Sequence, residues 1–252
     1  MLHGLHSPAE DRVRPAVRVF AALFLLGAAI FWLPGGTARA ADTTTEGVAL
    51  AILYDTSGSM QDPVRDASGK PAPKYVIANR ALTAIADKLE AFATNNDSGD
   101  PHRVDAGLFI FQGSGAREVV KFGHLNAPAM KEWAASFSSP GGGTPLGNSL
   151  RQAVKTVLHS PLSRKHVLVI TDGMNTIGPA PASVMPELQR DATEQQAEVS
   201  IHFVAFDVSA AVFDPVKRLG ATVVAAVDEK QLNTQLNFIL QQQILLEKEV
   251  KK

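Results

Sequence analysis

Three short segments carry the residues able to do chemistry, and none of them offers nitrogen or sulfur. Asp55-Thr56-Ser57-Gly58-Ser59 sets one carboxylate and two hydroxyls at alternate positions just after an apolar run. Gly141-Gly142-Gly143-Thr144 delivers a third hydroxyl at the start of a helical pattern, and Thr171-Asp172-Gly173 places a second carboxylate at the end of another apolar run. Oxygen-only donors suit a hard divalent cation, Mg²⁺ first, with Mn²⁺ or Ca²⁺ as alternatives, and they disfavour zinc and copper. An ion held largely by neutral hydroxyls keeps uncompensated positive charge. It should retain water and welcome a carboxylate from outside.

For these segments to meet, strands and helices must bring them to one edge. Residues 48–54 form a continuous apolar run, as a parallel strand covered on both faces requires. Residues 74–93 follow with Leu82, Ile85, Leu89 and Phe92 at helical spacing. Residues 104–111 and 118–122 flank the turn-forming Gln112-Gly113-Ser114-Gly115, which predicts a hairpin whose second strand is an antiparallel sheet edge. A short helix near 128–137 and a helix over 145–158 come next, then strand 167–171. The alternation continues with helix 182–197, strand 199–206, helix 210–219, strand 222–227 and a last helix from Glu229. The pattern predicts an α/β fold: a doubly wound, mostly parallel six-stranded sheet with one antiparallel edge strand and helices on both faces. Ligands of such sheets gather beyond the carboxyl ends of the strands, where the strand order reverses. The Pro- and Gly-containing stretch 61–73 reads as a rim loop there, and the tail as a docked C-terminal helix with a charged end.

Taken singly, each segment has a plainer explanation. Thr144 before Pro145 fits a helix N-cap followed by proline at the first helical position, and Asp172-Gly173 fits a turn that ends a strand. The conjunction of the three, in order and at the same sheet end, argues for a metal site at Asp55, Ser57, Ser59, Thr144 and Asp172. At these residues the chain resembles the von Willebrand factor A family, whose metal-ion-dependent adhesion site is written Asp-x-Ser-x-Ser, a distant Thr and a distant Asp. All five positions match, and the resemblance runs from about residue 48 to about residue 246. It implies that Ser57, Ser59 and Thr144 coordinate the ion directly or through water and that Asp55 and Asp172 sit mostly one shell out. An acidic residue of a partner protein would complete the octahedron. Asp207 also follows a strand at this end, but reads as an aspartate that starts a loop. His166 and His202 read as core or sheet-edge histidines and not as ligands.

Bulk properties narrow the classes of function. Formal net charge is −1 and no run of like charges stands out, so nothing marks a nucleic-acid binder. The absence of cysteine excludes disulfide frameworks, thiolate zinc sites, thiol nucleophiles and a bacterial lipid anchor. Arg12, Arg14 and Arg18 precede the apolar run 19–33, and Ala38-Arg39-Ala40 stands before Ala41, which reads as a cleavable signal peptide over 1–40. Its apolar part is shorter than the roughly 17–25 residues that span a bilayer, so no stable membrane insertion is expected after cleavage. Residues 41–252 then form a single domain outside the cytoplasm, periplasmic or secreted. Its expected role is to grip a partner protein's Asp or Glu through the cation. The alternatives are a structural subunit of an envelope complex with metal-independent contacts, or a metal-dependent phosphatase-like enzyme. The second lacks a general acid two residues after Asp55, where Ser57 stands. A serine hydrolase would need a Gly-x-Ser-x-Gly elbow, and the chain has none.

Overall fold

The structure, a computed structural model, describes residues 45–95 and 102–246. The signal-peptide reading of residues 1–40 lies outside the described residues. One six-stranded sheet organises the rest. Its strands are β1 (Thr45–Tyr54), β4 (Val104–Gln112), β5 (Gly115–His124), β6 (Leu162–Thr171), β7 (Val199–Phe206) and β8 (Thr222–Ala226), side by side in the order β5-β4-β1-β6-β7-β8. Every pairing is parallel except the β4–β5 hairpin, which leaves β5 as an antiparallel edge. The expected architecture is the observed one.

Strand β1 shows why. Its alternate residues Val48, Leu50, Ile52 and Tyr54 enter one core, while Ala49, Ala51 and Leu53 enter the other. Both sets are fully buried, so only a strand with helices on each side could use this run. On the first face lie α1 (Lys74–Thr94), α2 (Ala127–Ser136) and α6 (Glu229–Phe238), which passes into a π-helical segment Ile239–Leu245. On the second lie α3 (Leu146–Leu158), α4 (Pro181–Glu194) and the single-turn α5 (Asp214–Arg218). Helix α3 buries Leu146, Leu150, Val154 and Val157 at the 3.6-residue period that the sequence displays.

Two local expectations need correction. The stretch read as an irregular rim loop contains a small antiparallel hairpin of β2 (Pro63–Arg65) and β3 (Pro71–Pro73). Its prolines sit on a two-stranded ribbon, where missing N–H donors leave few ladder bonds unmade. Glu229 anchors this hairpin: it accepts from the Ala67 N–H at 2.7 Å and from Arg80 Nε and Nη2 at 2.8 Å each. The helix read over 210–219 is a 3-10 turn, Ala210–Phe213, running into α5, since Pro215 favours the first turn of a new helix. The last helix begins at Glu229 and docks as expected, changing to π-type pairing at Ile239.

His166 and His202, read as core or sheet-edge residues, are in the core. They lie on neighbouring strands β6 and β7, both almost fully buried, with Nδ1 of one 3.4 Å from Nε2 of the other. Burial pushes His166 down to about 3, helped by His202 and Arg164, and burial pushes His202 down to about 4. Both rings are therefore neutral at physiological pH. On the same strand, Arg164 Nη1 donates to the carbonyls of Ile244 and Leu245 at 3.3 and 3.1 Å, tying the π-helical segment to the sheet.

Candidate metal centre

The sheet topology creates the site. From β1 the chain crosses to β4 on one side, turns into β5, and returns to β6 on the other side of β1. The carboxyl ends of β1 and β6 therefore lie side by side where the winding reverses, the position at which α/β sheets bind ligands. Register does the rest: Tyr54 pairs with Ile170, and the Asp55 N–H donates to the Ile170 carbonyl at 3.0 Å. Asp55 is thereby set beside Thr171. The Thr171 hydroxyl donates to Asp55 Oδ2 at 2.6 Å, and the Ser57 N–H donates to Asp55 Oδ1 at 2.7 Å.

Two backbone bonds draw the second segment in. The Gly58 N–H donates to the Gly142 carbonyl at 3.1 Å, and the Gly141 N–H to the Thr56 carbonyl at 2.7 Å. Thr144 is braced from the far side, where its N–H donates to Thr176 Oγ1 at 2.8 Å and its carbonyl accepts from the Thr176 N–H at 2.9 Å. Glycines also let this segment pack against the loop after β6, with a movable side chain opposite Gly143 and backbone opposite Gly147. A Cβ at Gly143 would meet Ile177 Cδ1 at 2.6 Å, and one at Gly147 would collide with the Pro179 carbonyl oxygen.

All five residues singled out in the sequence meet in this crevice. Ser57 Oγ and Ser59 Oγ are 3.1 Å apart, and the Ser59 hydroxyl donates to Asp172 Oδ1 at 2.8 Å. A side-chain carbon at Gly173 would lie 3.8 Å from Thr144 Oγ1 and 3.9 Å from Ser59 Oγ, so both hydroxyls border one spot. Thr144 does not cap α3: Pro145 occupies the cap position and no side chain caps it. Among the described residues the Thr144 hydroxyl has no hydrogen-bond partner, which leaves its oxygen available to the crevice.

Electrostatics fit a cation. Asp55 is wholly buried, and burial pushes its carboxyl up to about 6 against the hydrogen bonds from Ser57 and Thr171, with the Asp172 charge adding to the rise. A nearby positive ion would return such a group to its charged form. Among the described residues no three His, Cys, Asp or Glu side chains form a metal-binding group; the oxygens that meet in the crevice are those of three hydroxyls and two carboxylates. That donor set suits a hard ion.

Three neighbours escaped the sequence reading. Thr171 directly precedes Asp172 in sequence, yet only the strand register shows that it serves Asp55. Asp207, read as a plain loop aspartate, adopts φ +54 and places Oδ2 3.0 Å from Lys74 Nζ. Lys74 Nζ is also 3.1 Å from Asp172 Oδ2 and 3.9 Å from Asp62 Oδ2. Burial opposes the charge on this ammonium, but Asp207 and Asp172 outweigh it and hold the amine above its ordinary range. Lys74 opens an amphipathic helix in sequence, and no spacing rule marks such a lysine as part of a site.

The profile of the von Willebrand factor type A domain matches residues 49–239. The chain belongs to that family. Domains of this family are typically adhesion or assembly modules, and they commonly bind a divalent cation at a metal-ion-dependent adhesion site (MIDAS). No curated protein matches significantly. Among solved structures, this von Willebrand factor A domain is similar to the corresponding domain of the type V pili tip protein Mfa5 from Porphyromonas gingivalis. That match has 13% identity and a TM-score of 0.59, over 82% of this chain and 99% of that one. It is also similar to the PilB minor pilin from Streptococcus sanguinis, at 14% identity and a TM-score of 0.57, over 79% of this chain and 62% of that one. A third is proximal thread matrix protein 1 from the mussel byssus with a zinc-occupied MIDAS motif, at 15% identity and a TM-score of 0.55, over 77% and 47% of the two chains. The chain thus spans about three fifths of the pilin and about half of the byssus protein. At these identities the likeness shows the fold. Among the described residues, no helix is long and apolar enough to cross a membrane.

Proposed function

We propose that this domain binds a partner protein outside the cytoplasm through one divalent cation. Ser57, Ser59 and Thr144 hold the ion by their hydroxyls, Asp55 and Asp172 act mainly from one shell out, and an Asp or Glu of the partner completes the coordination. The observation that carries this reading is the convergence of three hydroxyls, one of them unpartnered, between two carboxylates already tethered by their own hydrogen bonds. Mg²⁺ is the first choice, because it favours octahedral oxygen coordination with several retained waters. A partner carboxylate can replace one of those waters. The zinc in the byssus protein's MIDAS motif makes Zn²⁺, besides Mn²⁺ and Ca²⁺, a necessary comparison.

Action outside the cytoplasm is supported by the signal-like pattern of residues 1–40 and by the two pilus proteins among the structural neighbours. Specificity falls to the rim. Met174, 62% exposed directly after Gly173, offers an apolar contact beside the ion, and the β2–β3 hairpin supplies a flank. No acid follows two residues after Asp55, so the site lacks the proton donor a phosphatase of this layout would use.

Affinity capture from an envelope extract, run in Mg²⁺, in EDTA and with Thr144→Ala, tests the reading. Capture in Mg²⁺ should fall by roughly tenfold or more in the other two conditions, the size expected when a metal site loses a ligand or its support. Equal capture in all three would mean that the partner docks on another face and that the domain is a structural subunit.

A further inference from the structure

Lys74 is out of place by ordinary rules. It is the first residue of α1, where the helix dipole repels a cation, and it is 5% exposed. Neither helix propensity nor solvation explains a buried ammonium there. What holds it is a pair of carboxylates, Asp172 Oδ2 at 3.1 Å and Asp207 Oδ2 at 3.0 Å, with Asp62 at 3.9 Å. Asp207 reaches it from a left-handed backbone conformation that few residues adopt. With Oδ2 facing Lys74 and Oδ1 accepting from Ser59, Asp172 has both oxygens committed.

We propose that Lys74 is a built-in counter-cation that holds Asp172 out of the metal's inner shell, so that the ion must find its charged ligand on a partner. The inference rests on the metal reading above. Without the ammonium, Asp172 Oδ2 would be free to swing toward the crevice and bind the ion directly. The site would gain one net negative charge and a charged inner ligand, replacing a bound water. Lys74 thus lowers intrinsic metal affinity and raises the ion's appetite for an external carboxylate. Asp207 serves as the second anchor that stops Lys74 from following Asp172 inward. Lys74 is a positioning residue in this scheme, since it acts through Asp172.

The test uses Mn²⁺ alone as probe, with calorimetry for affinity and water-proton relaxation for the number of inner-sphere waters. Lys74→Met should bind Mn²⁺ about tenfold more tightly than wild type or better, with one fewer bound water. Lys74→Arg, which keeps the charge, should behave as wild type. Should the Met variant fold poorly, Lys74→Gln provides the same comparison. Unchanged or weaker binding with an unchanged water count in the neutral variants, while wild type still binds Mn²⁺, overturns the role of Lys74 and leaves the metal reading intact. Absence of Mn²⁺ binding by wild type and every variant overturns the metal reading itself, and this inference with it. Binding by the neutral variants alone also overturns both, because Lys74 would then stand in for the ion.

Discussion

Lowering the pH from 7 to 5 should reduce the unfolding free energy by a net of about 2–3 kcal/mol, driven by His166 and His202. Both are depressed below the ordinary value of about 6.5, to about 3 and about 4, by burial. As pH falls through 6.5 the unfolded chain takes up two protons that the folded chain refuses. Stability that is fully present above 6.5 is lost on the way down toward 4 and 3, at about 1.4 kcal/mol per pH unit for each ring. The two rings together forfeit roughly 4 kcal/mol by pH 5. Asp55 acts in the opposite sense, because its folded carboxyl titrates at about 6, above its unfolded value, and the folded state binds its proton first. That returns about 1 kcal/mol at pH 5. Urea denaturation at the two pH values, without added metal, measures the net loss. Replacing both histidines by Gln should flatten or reverse the slope. A wild-type stability that is unchanged or greater at pH 5 would contradict the neutral buried pair.

Asp172→Ala should cost about 2–3 kcal/mol of stability in metal-free protein, more than a surface charge would. The side chain is fully buried, and its removal takes one of two close partners from a buried ammonium and the acceptor from Ser59. A buried pair broken on one side costs about 3–5 kcal/mol when nothing else compensates. Here Asp207, 40% exposed, remains 3.0 Å from Lys74, which moderates the loss. Asp172→Asn keeps an acceptor for Ser59 and should cost less. Adding Lys74→Met to Asp172→Ala should restore most of the stability, since removing both charges leaves none stranded. A single Asp172→Ala variant within about 0.5 kcal/mol of wild type would show that the Lys74 contact carries little energy.

Much of this molecule is legible in its sequence because its signals are local. Strand β1 announces itself as an uninterrupted apolar run, and α3 by apolar residues at helical spacing, so the doubly wound sheet follows from patterning. The five crevice residues are legible for a related reason: each stands at a strand end or helix start that the alternation sends to the same edge. What the sequence hides depends on long-range register and charge pairing. Thr171 meets Asp55 only because Tyr54 pairs with Ile170 across 116 residues. Lys74, Asp172 and Asp207 come from α1 and from the loops after β6 and β7, and no spacing links them. The hairpin at 63–73 was hidden by its prolines, which argue for a loop by propensity yet tolerate a three-residue ribbon.

The central claim is that this crevice holds a divalent cation, and titration of Mg²⁺ and Mn²⁺ into wild type and Asp55→Ala by calorimetry addresses it most directly. Asp55 accepts from Ser57 and Thr171 and so shapes the loop that carries two of the three hydroxyls. Its charge is also the buried one that a cation would satisfy. One ion per chain should bind wild type, and Asp55→Ala should weaken binding by roughly 100-fold or more, while its circular dichroism stays that of the wild type because the two cores are untouched. Equal binding by the two proteins, or no binding by wild type at millimolar metal, would contradict the account.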